Sequence, residues 1–204
     1  RKARRQILEG IVLLRQWQES GLAPEVAPGN PLVGVLLAYT PLHHLLLAAA
    51  GQPLVMTSGN LSDEPIAAAD AEALERLAGI ADLFLVHDRA IENRCDDSVA
   101  RVIAGRPTVL RRSRGYVPRA VPLRRAVRRP VLACGAHLKN AFCLAAGDEA
   151  WLGPHVGDLD NLEATRAFEE QVERLQRFLG IRPEVIAHDL HPDFFSTRHA
   201  LELA

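Results

Sequence analysis

Residues 53–65 read Pro-Leu-Val-Met-Thr-Ser-Gly-Asn-Leu-Ser-Asp-Glu-Pro, and the rest of the chain is organised around them. The apolar run 54–56 predicts a buried strand, which ends abruptly in small polar residues. Those residues supply hydroxyls, an amide and tolerance of unusual backbone angles within four positions: Thr57, Ser58, Gly59 and Asn60. Such a bend can surround a phosphate or an adenylate with backbone N–H groups, although an ordinary turn explains the same tetrapeptide.

Composition and charge narrow the function classes. The chain has 204 residues, 48% of them hydrophobic, enough for one large core or two modest ones. A formal net charge of −1 argues against a general nucleic-acid or membrane-surface binder. No apolar run reaches the length of a membrane span, and the N-terminus lacks a secretory pattern, so we expect a soluble cytoplasmic protein.

The three cysteines, Cys95, Cys134 and Cys143, are odd in number and widely spaced. This spacing predicts neither a disulfide framework nor a cysteine zinc site. The chain starts without a methionine and stops at Ala204, inside a predicted helix. We therefore expect it to be a piece of a longer protein.

Strand and helix signals alternate at the start of the chain. Residues 11–14 and 32–37 are predicted strands. Thr40 is a predicted N-cap with Pro41 at the first helical position, and Gly51 ends that helix.

A second helix at 67–78 and a strand at 82–86 follow the Ser-Gly-Asn turn. A β-hairpin is then predicted from strands 99–103 and 108–112, joined by a turn at 105–107. This alternation is typical of an α/β domain.

His43 and His44 occupy the first turn of the Pro41 helix. Adjacent helical side chains diverge by about 100°, so one at most can face a ligand. Packed or solvent-facing histidines explain both positions equally well.

A polar segment, residues 93–98, precedes the hairpin. Asp96 and Asp97 are adjacent, and in extended chain they point to opposite faces, which disfavours a paired-carboxylate acid/base device. One aspartate that orients an arginine or a metal-bound nucleotide, with Ser98 as a donor, fits better. Arginine binds phosphate with two parallel hydrogen bonds. Three arginines lie near this polar segment in sequence: Arg101, Arg111 and Arg114. A solvated charged face is the alternative.

A second pattern begins after a segment rich in proline and arginine. Strands are predicted at 131–133, 140–146 and 150–152. Asp160 or Asn161 caps a long helix whose apolar stripe comprises Phe168, Val172, Leu175 and Leu179 and which ends at Gly180. A buried strand at 185–187 follows.

Four strings in the same order carry a resemblance: Tyr-Thr-Pro-Leu-His-His-Leu-Leu-Leu at 39–47, Pro-Leu-Val-Met-Thr-Ser-Gly-Asn-Leu-Ser-Asp-Glu-Pro-Ile at 53–66, Cys-Asp-Asp-Ser-Val at 95–99 and Arg-Arg-Ser-Arg-Gly-Tyr at 111–116. They resemble the YrdC-like domain of the HypF family of hydrogenase-maturation carbamoyltransferases. In that family this domain condenses ATP with carbamate, released from carbamoyl phosphate, into carbamoyl adenylate.

The resemblance implies roles for individual residues. Ser58 and Asn60 would contact the nucleotide or the carbamoyl group, and Asp97, Ser98, Arg111 and Arg114 would help to hold the phosphates. The predicted nucleotide site also includes Thr57, Gly59 and Arg101. YrdC-type domains open with a Lys-x-Arg signature, and Lys2 and Arg4 have that spacing. The residues after them do not continue the pattern, so the role is not transferred to them.

Three later strings resemble the start of the transferase domain of the same family: Cys-Gly-Ala-His-Leu-Lys-Asn-Ala-Phe-Cys at 134–143, His-Val-Gly-Asp-Leu at 155–159 and His-Asp-Leu-His-Pro at 188–192. Gly135 would open a phosphate-facing hairpin, with Lys139 as its buried cation and Asn140 as a hydrogen-bonding partner. The family more often has glutamate where His137 stands, which leaves the role of His137 open.

The most ligand-like cluster comprises His188, Asp189 and His191. Imidazole and carboxylate at a strand end can hold a metal or a carbamoyl oxygen, and a His-Asp pair that organises the turn is the alternative. The family's divalent metal, Zn or Fe, is held by a histidine-rich motif beyond this segment, so we assign no metal ligand here.

The predicted fold is α/β: a YrdC-like twisted mixed sheet with helices, followed by the first half of an actin-like (ASKHA) transferase domain. The predicted boundaries are 1–118 for a YrdC-like domain without its N-terminal part, 119–130 for a linker, and 131–204 for a truncated ASKHA-type carbamoyltransferase domain.

The implied enzyme makes carbamoyl adenylate from carbamoyl phosphate and ATP, with Mg²⁺. It transfers the carbamoyl group to the C-terminal cysteine of HypE in [NiFe]-hydrogenase maturation. A tRNA threonylcarbamoyladenosine protein, an O-carbamoyltransferase and a non-catalytic nucleotide- or RNA-binding module are the alternatives. The catalytic residues are not identified.

Overall fold

The computed structural model describes residues 10–15, 21–62 and 64–203, so Lys2 and Arg4 lie outside the described residues. The chain forms two compact units. The first contains the residues up to Thr57 together with Asp97–Gly115, and the second contains Ser58–Asp96 and the residues from Tyr116 onward. The boundaries predicted at 1–118, 119–130 and 131–204 remain predictions.

The first unit contains a four-stranded mixed sheet in the order β2-β1-β3-β4. Strand β1 runs parallel to β3, and the other neighbours are antiparallel. The strands are β1 (Ile11–Arg15), β2 (Leu32–Val35), β3 (Val99–Ile103) and β4 (Arg106–Arg111). The turn of the β3–β4 hairpin contains Ala104 and Gly105, with φ of 48° and 73°, so it lies slightly earlier than predicted.

Helix α1 (Pro41–Ala50) begins and ends where the sequence predicts. Oγ1 of Thr40 accepts a hydrogen bond from the backbone N of His43 at 3.1 Å. Gly51 ends the helix in the left-handed region with φ of 64°, where glycine avoids the steric cost of a Cβ.

The second unit contains a five-stranded sheet in the order β5-β8-β7-β6-β9. Strands β6 and β9 are parallel, and the other pairs are antiparallel. The strands are β5 (Val121–Pro122), β6 (Val131–Ala133), β7 (Cys143–Ala146), β8 (Glu149–Leu152) and β9 (Val185–Ala187). The predicted succession of three strands, a helix and a further strand is confirmed, and β5 lies in the segment predicted as a linker.

Helix α3 (Leu162–Leu179) covers this sheet. The side chain of Asn161 accepts from the backbone N of Ala164 and caps the helix, and Gly180 ends it, as predicted. Phe168, Val172 and Leu175 are buried in one core with Leu132 and Leu144 of the sheet, and helix α4 (Phe195–Leu203) packs against that core. Among the described residues no helix is both long and apolar enough to cross a membrane.

Two predicted strands, at 54–56 and 82–86, are wrong, because neither segment forms a strand. Val55 is 80% exposed and Leu83 is 91% exposed. An extended apolar segment becomes a buried strand only when a neighbouring strand accepts its hydrogen bonds, and none of the described strands pairs with either segment. Between them, helix α2 (Asp70–Leu77) is shorter than predicted.

Candidate functional site

The Ser-Gly-Asn turn belongs to the second unit. It is held in shape by hydrogen bonds to the residues that follow it. Nδ2 of Asn60 donates to the carbonyl oxygens of Leu61 and Glu64, at 2.8 and 3.0 Å. The backbone N of Ala67 donates to the carbonyl of Gly59 at 2.9 Å. Asn60 therefore shapes the turn, while Ser58 and Gly59 are exposed to an incoming ligand. Thr57, also exposed, is the last residue of its part of the first unit.

In the first unit, Asp97 lies among cationic and aromatic side chains. Its Oδ1 is 3.3 Å from Nε of Arg114 and accepts a hydrogen bond from the Tyr39 hydroxyl at 3.3 Å. The guanidinium of Arg114 lies 5.2 Å from the centroid of the Tyr39 ring, within cation–π range. Nε of Arg111 donates to the backbone carbonyl of Asp97 at 2.8 Å. One aspartate thus contacts two of the predicted arginines.

Ser98 holds the loop that carries Arg114. The Ser98 side chain is 1% exposed, and its Oγ donates to the carbonyl of Arg114 and accepts from the backbone N of Ser113, both at 2.8 Å. A Cβ added to Gly10 would lie 2.6 Å from the Ser98 carbonyl oxygen, so β1 approaches this residue closely. The hydroxyl is engaged with the backbone, and Ser98 therefore fixes the shape of the loop.

Among the other predicted residues of this unit, Arg101 lies outside that cluster, and His43 and His44 differ in their contacts. Arg101 is exposed on β3 and makes no contact with Asp97 in the described part of the chain. The His43 ring packs edge-on against Tyr39, with centroids 4.6 Å apart, and His44 is exposed.

The second cluster forms at one edge of the five-stranded sheet. Because β6 and β9 are parallel, the loops that follow Ala133 and Ala187 leave the sheet at the same edge. The backbone N of Cys134 donates to the carbonyl of Ala187 at 2.9 Å. The two predicted transferase segments, Gly135 to Asn140 and His188 to His191, therefore start side by side.

Asn140 holds the Gly135 loop in shape. Its side chain is 1% exposed, and Nδ2 donates to the carbonyls of Cys134 and Ala136, at 2.9 and 2.5 Å. Gly135 has φ of 72°, and a Cβ there would lie 2.5 Å from the Ala141 carbonyl oxygen. Only glycine fits this approach. The Oδ1 of Asn140 is buried without a hydrogen-bond partner in the described structure.

Lys139 is not the buried cation that we expected, because its side chain is 76% exposed. Both its backbone N, at 2.7 Å, and its Nζ, at 3.1 Å, donate to Oδ1 of Asp158. The backbone N–H and the ammonium of Lys139 lower the pKa of the Asp158 carboxyl. A phosphate would therefore have to compete with the Asp158 carboxylate for the Lys139 ammonium.

His188, Asp189 and His191 are held by contacts within their own turn. Nδ1 of His188 lies 2.6 Å from the Asp189 carbonyl oxygen, and Oδ1 of Asp189 accepts from the backbone N of His191 at 2.9 Å. The Asp189 carbonyl also accepts from Oγ1 of Thr197 at 3.0 Å. These contacts agree with the alternative of a turn-organising His-Asp pair. No group of three or more His, Cys, Asp or Glu side chains placed to hold a metal ion is present among the described residues.

Sequence reasoning did not assign Phe194 or Asp160 to the site. The Phe194 ring stacks on both His137 and His191, with centroids 4.9 and 4.2 Å apart. Nε2 of His137 lies 2.7 Å from Oδ1 of Asp160, while its Nδ1 is buried without a partner in the described structure. The aromatic pair Phe194-Phe195, one residue after the His-Asp-Leu-His-Pro string, was the available signal. The Phe194 ring thus links His137 of the Gly135–Asn140 loop to His191 of the second segment.

Comparison with known families divides the chain into two matched regions. The Sua5/YciO/YrdC family model, described as "Telomere recombination", matches residues 2–113. The model of the "HypF Kae1-like domain" matches residues 126–204.

Curated relatives match nearly the whole chain. It is 46% identical to the carbamoyltransferase HypF of Synechocystis over 93% of its length, and 51% identical to HypF2 of Cupriavidus necator over 95%. The chain spans 25% and 26% of those two proteins.

Solved structures match as well. A crystal structure of full-length HypF in a phosphate- and nucleotide-bound form matches 97% of the chain with a TM-score of 0.87 and 42% identity, and the chain covers 32% of it. A structure of T. kodakarensis HypF matches 97% with a TM-score of 0.90 and 34% identity, and the chain covers 26% of it. These matches confirm the predicted fold class.

Proposed function

The chain belongs to the Sua5/YciO/YrdC family and is homologous over most of its length to the HypF carbamoyltransferases, and from this premise we propose that it is part of a cytoplasmic carbamoyltransferase of [NiFe]-hydrogenase maturation. The observation that carries the proposal is the succession of the two matched regions, 2–113 and 126–204, in one chain. An adenylate-forming region followed by a transferase region fits a two-step transfer of one activated group.

The first step is the formation of carbamoyl adenylate. Carbamoyl phosphate is hydrolysed to carbamate and phosphate, a carbamate oxygen attacks the α-phosphorus of ATP, and pyrophosphate leaves. Arg111 and Arg114 neutralise phosphate charge, and their contacts with Asp97 hold them in place for that task. The exposed turn of Ser58, Gly59 and Asn60 contacts the adenylate or carbamoyl group through its hydroxyl and backbone N–H groups. A Mg²⁺ ion bound with ATP would offset further phosphate charge.

The second step passes the carbamoyl group to a thiol, proposed to be the C-terminal cysteine of HypE. The thiolate attacks the carbamoyl carbon and AMP leaves. Gly135 lets its loop pack against the Ala141 carbonyl, and the backbone N–H groups of that loop would contact the anionic intermediate. The unpaired, buried Oδ1 of Asn140 can accept a hydrogen bond from the carbamoyl NH₂ group, which satisfies an otherwise costly orphan acceptor.

Carbamoyl-phosphate-dependent exchange of pyrophosphate into ATP tests the first step in the full-length protein. We expect Arg114→Ala and Ser58→Ala to lower exchange at least about tenfold, which corresponds to the loss of about 1.4 kcal/mol of transition-state stabilisation. Arg106→Ala is the matched control, because Arg106 is exposed at the start of β4. Wild-type rates in both site variants would remove these residues from the site, and absent exchange in the wild type would refute the proposed reaction.

A further inference from the structure

Arg94 is the centre of a polar network inside the second unit. Its Nε donates to the carbonyl of Ile66 at 3.0 Å, and its Nη2 contacts both carboxylate oxygens of Glu72, at 3.1 and 2.9 Å. Its Nη1 lies 3.4 Å from Oε2 of Glu170 on α3. Its own carbonyl accepts from Nε2 of Gln171 at 2.9 Å. One residue thus contacts the segment after the Ser-Gly-Asn turn, helix α2 and helix α3.

The network reaches the Ser-Gly-Asn turn through α2. Arg76 of α2 forms ion pairs with Glu72 and with Glu64, and its Nη2 donates to the Pro65 carbonyl at 3.2 Å. The Glu64 carbonyl in turn accepts from Nδ2 of Asn60 at 3.0 Å. A continuous series of contacts therefore runs from Asn60 through Arg76 and Glu72 to Arg94.

Helix α3 extends from the Arg94 contacts to the Gly135–Asn140 loop. Arg174 of α3 also contacts Glu92 at 2.7 Å, which adds a second link between this helix and the segment that precedes Arg94. The helix starts at the Asn161 cap, directly after Asp158 and Asp160, whose carboxylates contact Lys139 and His137. The same helix thus contacts Arg94 and begins beside the Gly135–Asn140 loop.

The network crosses the border between the two matched families. Residues 66–94 lie within the YrdC-type match, whereas α3 lies within the HypF Kae1-like match. In the structure, Ser58–Asp96 nevertheless forms one compact unit with the residues from Tyr116 onward.

The contacts of Arg94 with Glu72 and Gln171 are better shielded than ordinary surface ion pairs, whereas its partner Glu170 is 61% exposed. Gln171 is 9% exposed and the Glu72 side chain is 22% exposed. Burial alone would raise the pKa of Glu72, but hydrogen bonds from the backbone N–H groups of Ala68 and Ala69 and from Arg94 lower it to about 2. Exposed pairs contribute little to stability, whereas partly buried, multiply bonded pairs fix geometry.

We propose that Arg94, with Gln171 and Glu170, is a positioning device that fixes the Ser-Gly-Asn turn on the HypF Kae1-like region. This inference rests on the proposed function for its consequence: an adenylate made at a turn that is held in place passes to the acceptor thiol without escaping to water. A loosened turn lets carbamoyl adenylate hydrolyse to AMP and carbamate.

Hydrogen–deuterium exchange in the full-length protein tests the positioning itself. Gln171→Leu removes one cross-link with little change in volume, and Arg94→Met removes the hub while it keeps the aliphatic stem. We expect both variants to raise amide exchange at least about threefold in residues 58–77 and to leave β6, β7 and β9 unchanged. Arg177→Ala is the matched control, because Arg177 lies on the same helix and forms only an exposed pair with Glu173 in the described structure.

The ratio of AMP released to acceptor thiols carbamoylated tests the consequence. We expect a ratio near one for wild type and Arg177→Ala, and at least threefold higher values for Arg94→Met and Gln171→Leu. Unchanged exchange in residues 58–77 overturns the proposal, and so does raised exchange with an unchanged ratio. If the wild type forms no AMP from carbamoyl phosphate and ATP, the proposed function fails, and the exchange result alone then decides whether Arg94 positions the turn.

Discussion

Apolar segments of similar composition form strands in the second half of the chain and irregular, exposed structure in the first half. Val131–Ala133 and Val185–Ala187 pair in parallel, and α3 covers them. Residues 54–56 and 82–86 are as apolar, yet they form no strand and leave Val55 and Leu83 exposed. The difference shows that apolar patterning produces a strand only where a partner strand and a covering layer are available.

The same contrast applies to the polar groups. Asn140 and Ser98 are buried, and their side chains bond to the backbone around them. Lys139 and Asp158 are paired at the surface. Substitutions that remove buried groups should therefore change stability far more than chemically similar substitutions at exposed groups.

The largest effect is expected for Phe168→Ala. Phe168 is fully buried and contacts Phe142 and Phe195 edge-on, with centroids 5.8 Å apart in each case. The truncation should lower the free energy of unfolding by about 3–5 kcal/mol, from lost burial and a residual cavity. Urea denaturation measures it.

Leu83→Ala is the matched control for Phe168→Ala. Leu83 lies in one of the segments wrongly predicted as a strand, and its exposure predicts a change of less than about 0.5 kcal/mol. A large loss at Leu83 would contradict the contrast, because it would mean that the segment is buried in solution.

The sequence predicted local structure well where signals were local. The Thr40 and Asn161 caps, the Gly51 and Gly180 helix ends and the β3–β4 hairpin all depend on residues within a few positions of one another. Partner strands are set by tertiary structure, which periodicity does not encode. The two wrong strands have this cause.

The candidate sites were predicted less completely for a related reason. Motif strings pointed to Asp97, Arg111 and Arg114, and both arginines do contact Asp97. The stacking of Phe194 on His137 and the link from Arg94 to Gln171 join residues far apart in sequence. No local pattern predicts such pairs. The exposure of Lys139 depends equally on its loop packing against Asp158.

A medium effect is expected for Ser98→Ala. The change removes the partner of the Ser113 N–H and of the Arg114 carbonyl, both of which the Ser98 hydroxyl satisfies at 2.8 Å. We expect a loss of about 1–3 kcal/mol in the free energy of unfolding, because buried backbone groups lose their hydrogen bonds.

Thr108→Ala on the same hairpin provides the comparison for Ser98→Ala. Its hydroxyl makes only a long, exposed bond of 3.4 Å to the Arg106 carbonyl. It should change stability by less than about 0.5 kcal/mol. Equal losses in the two variants would show that the Ser98 bonds are not formed in solution.

A smaller, pH-dependent effect is expected from Glu72. Its pKa in the folded chain is about 2 against an ordinary value of 4.5, so the carboxylate stabilises the fold above pH 4.5, and this contribution is lost as the pH falls towards 2. Partial solvent screening reduces it to about 1–2 kcal/mol. Glu72→Gln should therefore show a shallower loss of stability between pH 5 and pH 2, in acid titrations followed by circular dichroism, and parallel titration curves would contradict the assigned contacts.

The smallest effect is expected at Lys139, whose side chain is exposed whereas that of Glu72 is partly buried. Lys139 has φ of 50°, a backbone region that disfavours any residue with a Cβ, and its Nζ pairs with Asp158 at the surface. Lys139→Ala keeps the backbone strain and loses an exposed pair, so we expect a loss below about 1 kcal/mol. Lys139→Gly loses the same pair but relieves the strain, and we expect it to be about 1 kcal/mol more stable than the alanine variant. Urea denaturation of both variants measures the difference, and an alanine variant as stable as the glycine variant would mean that the left-handed backbone at residue 139 is not retained in solution.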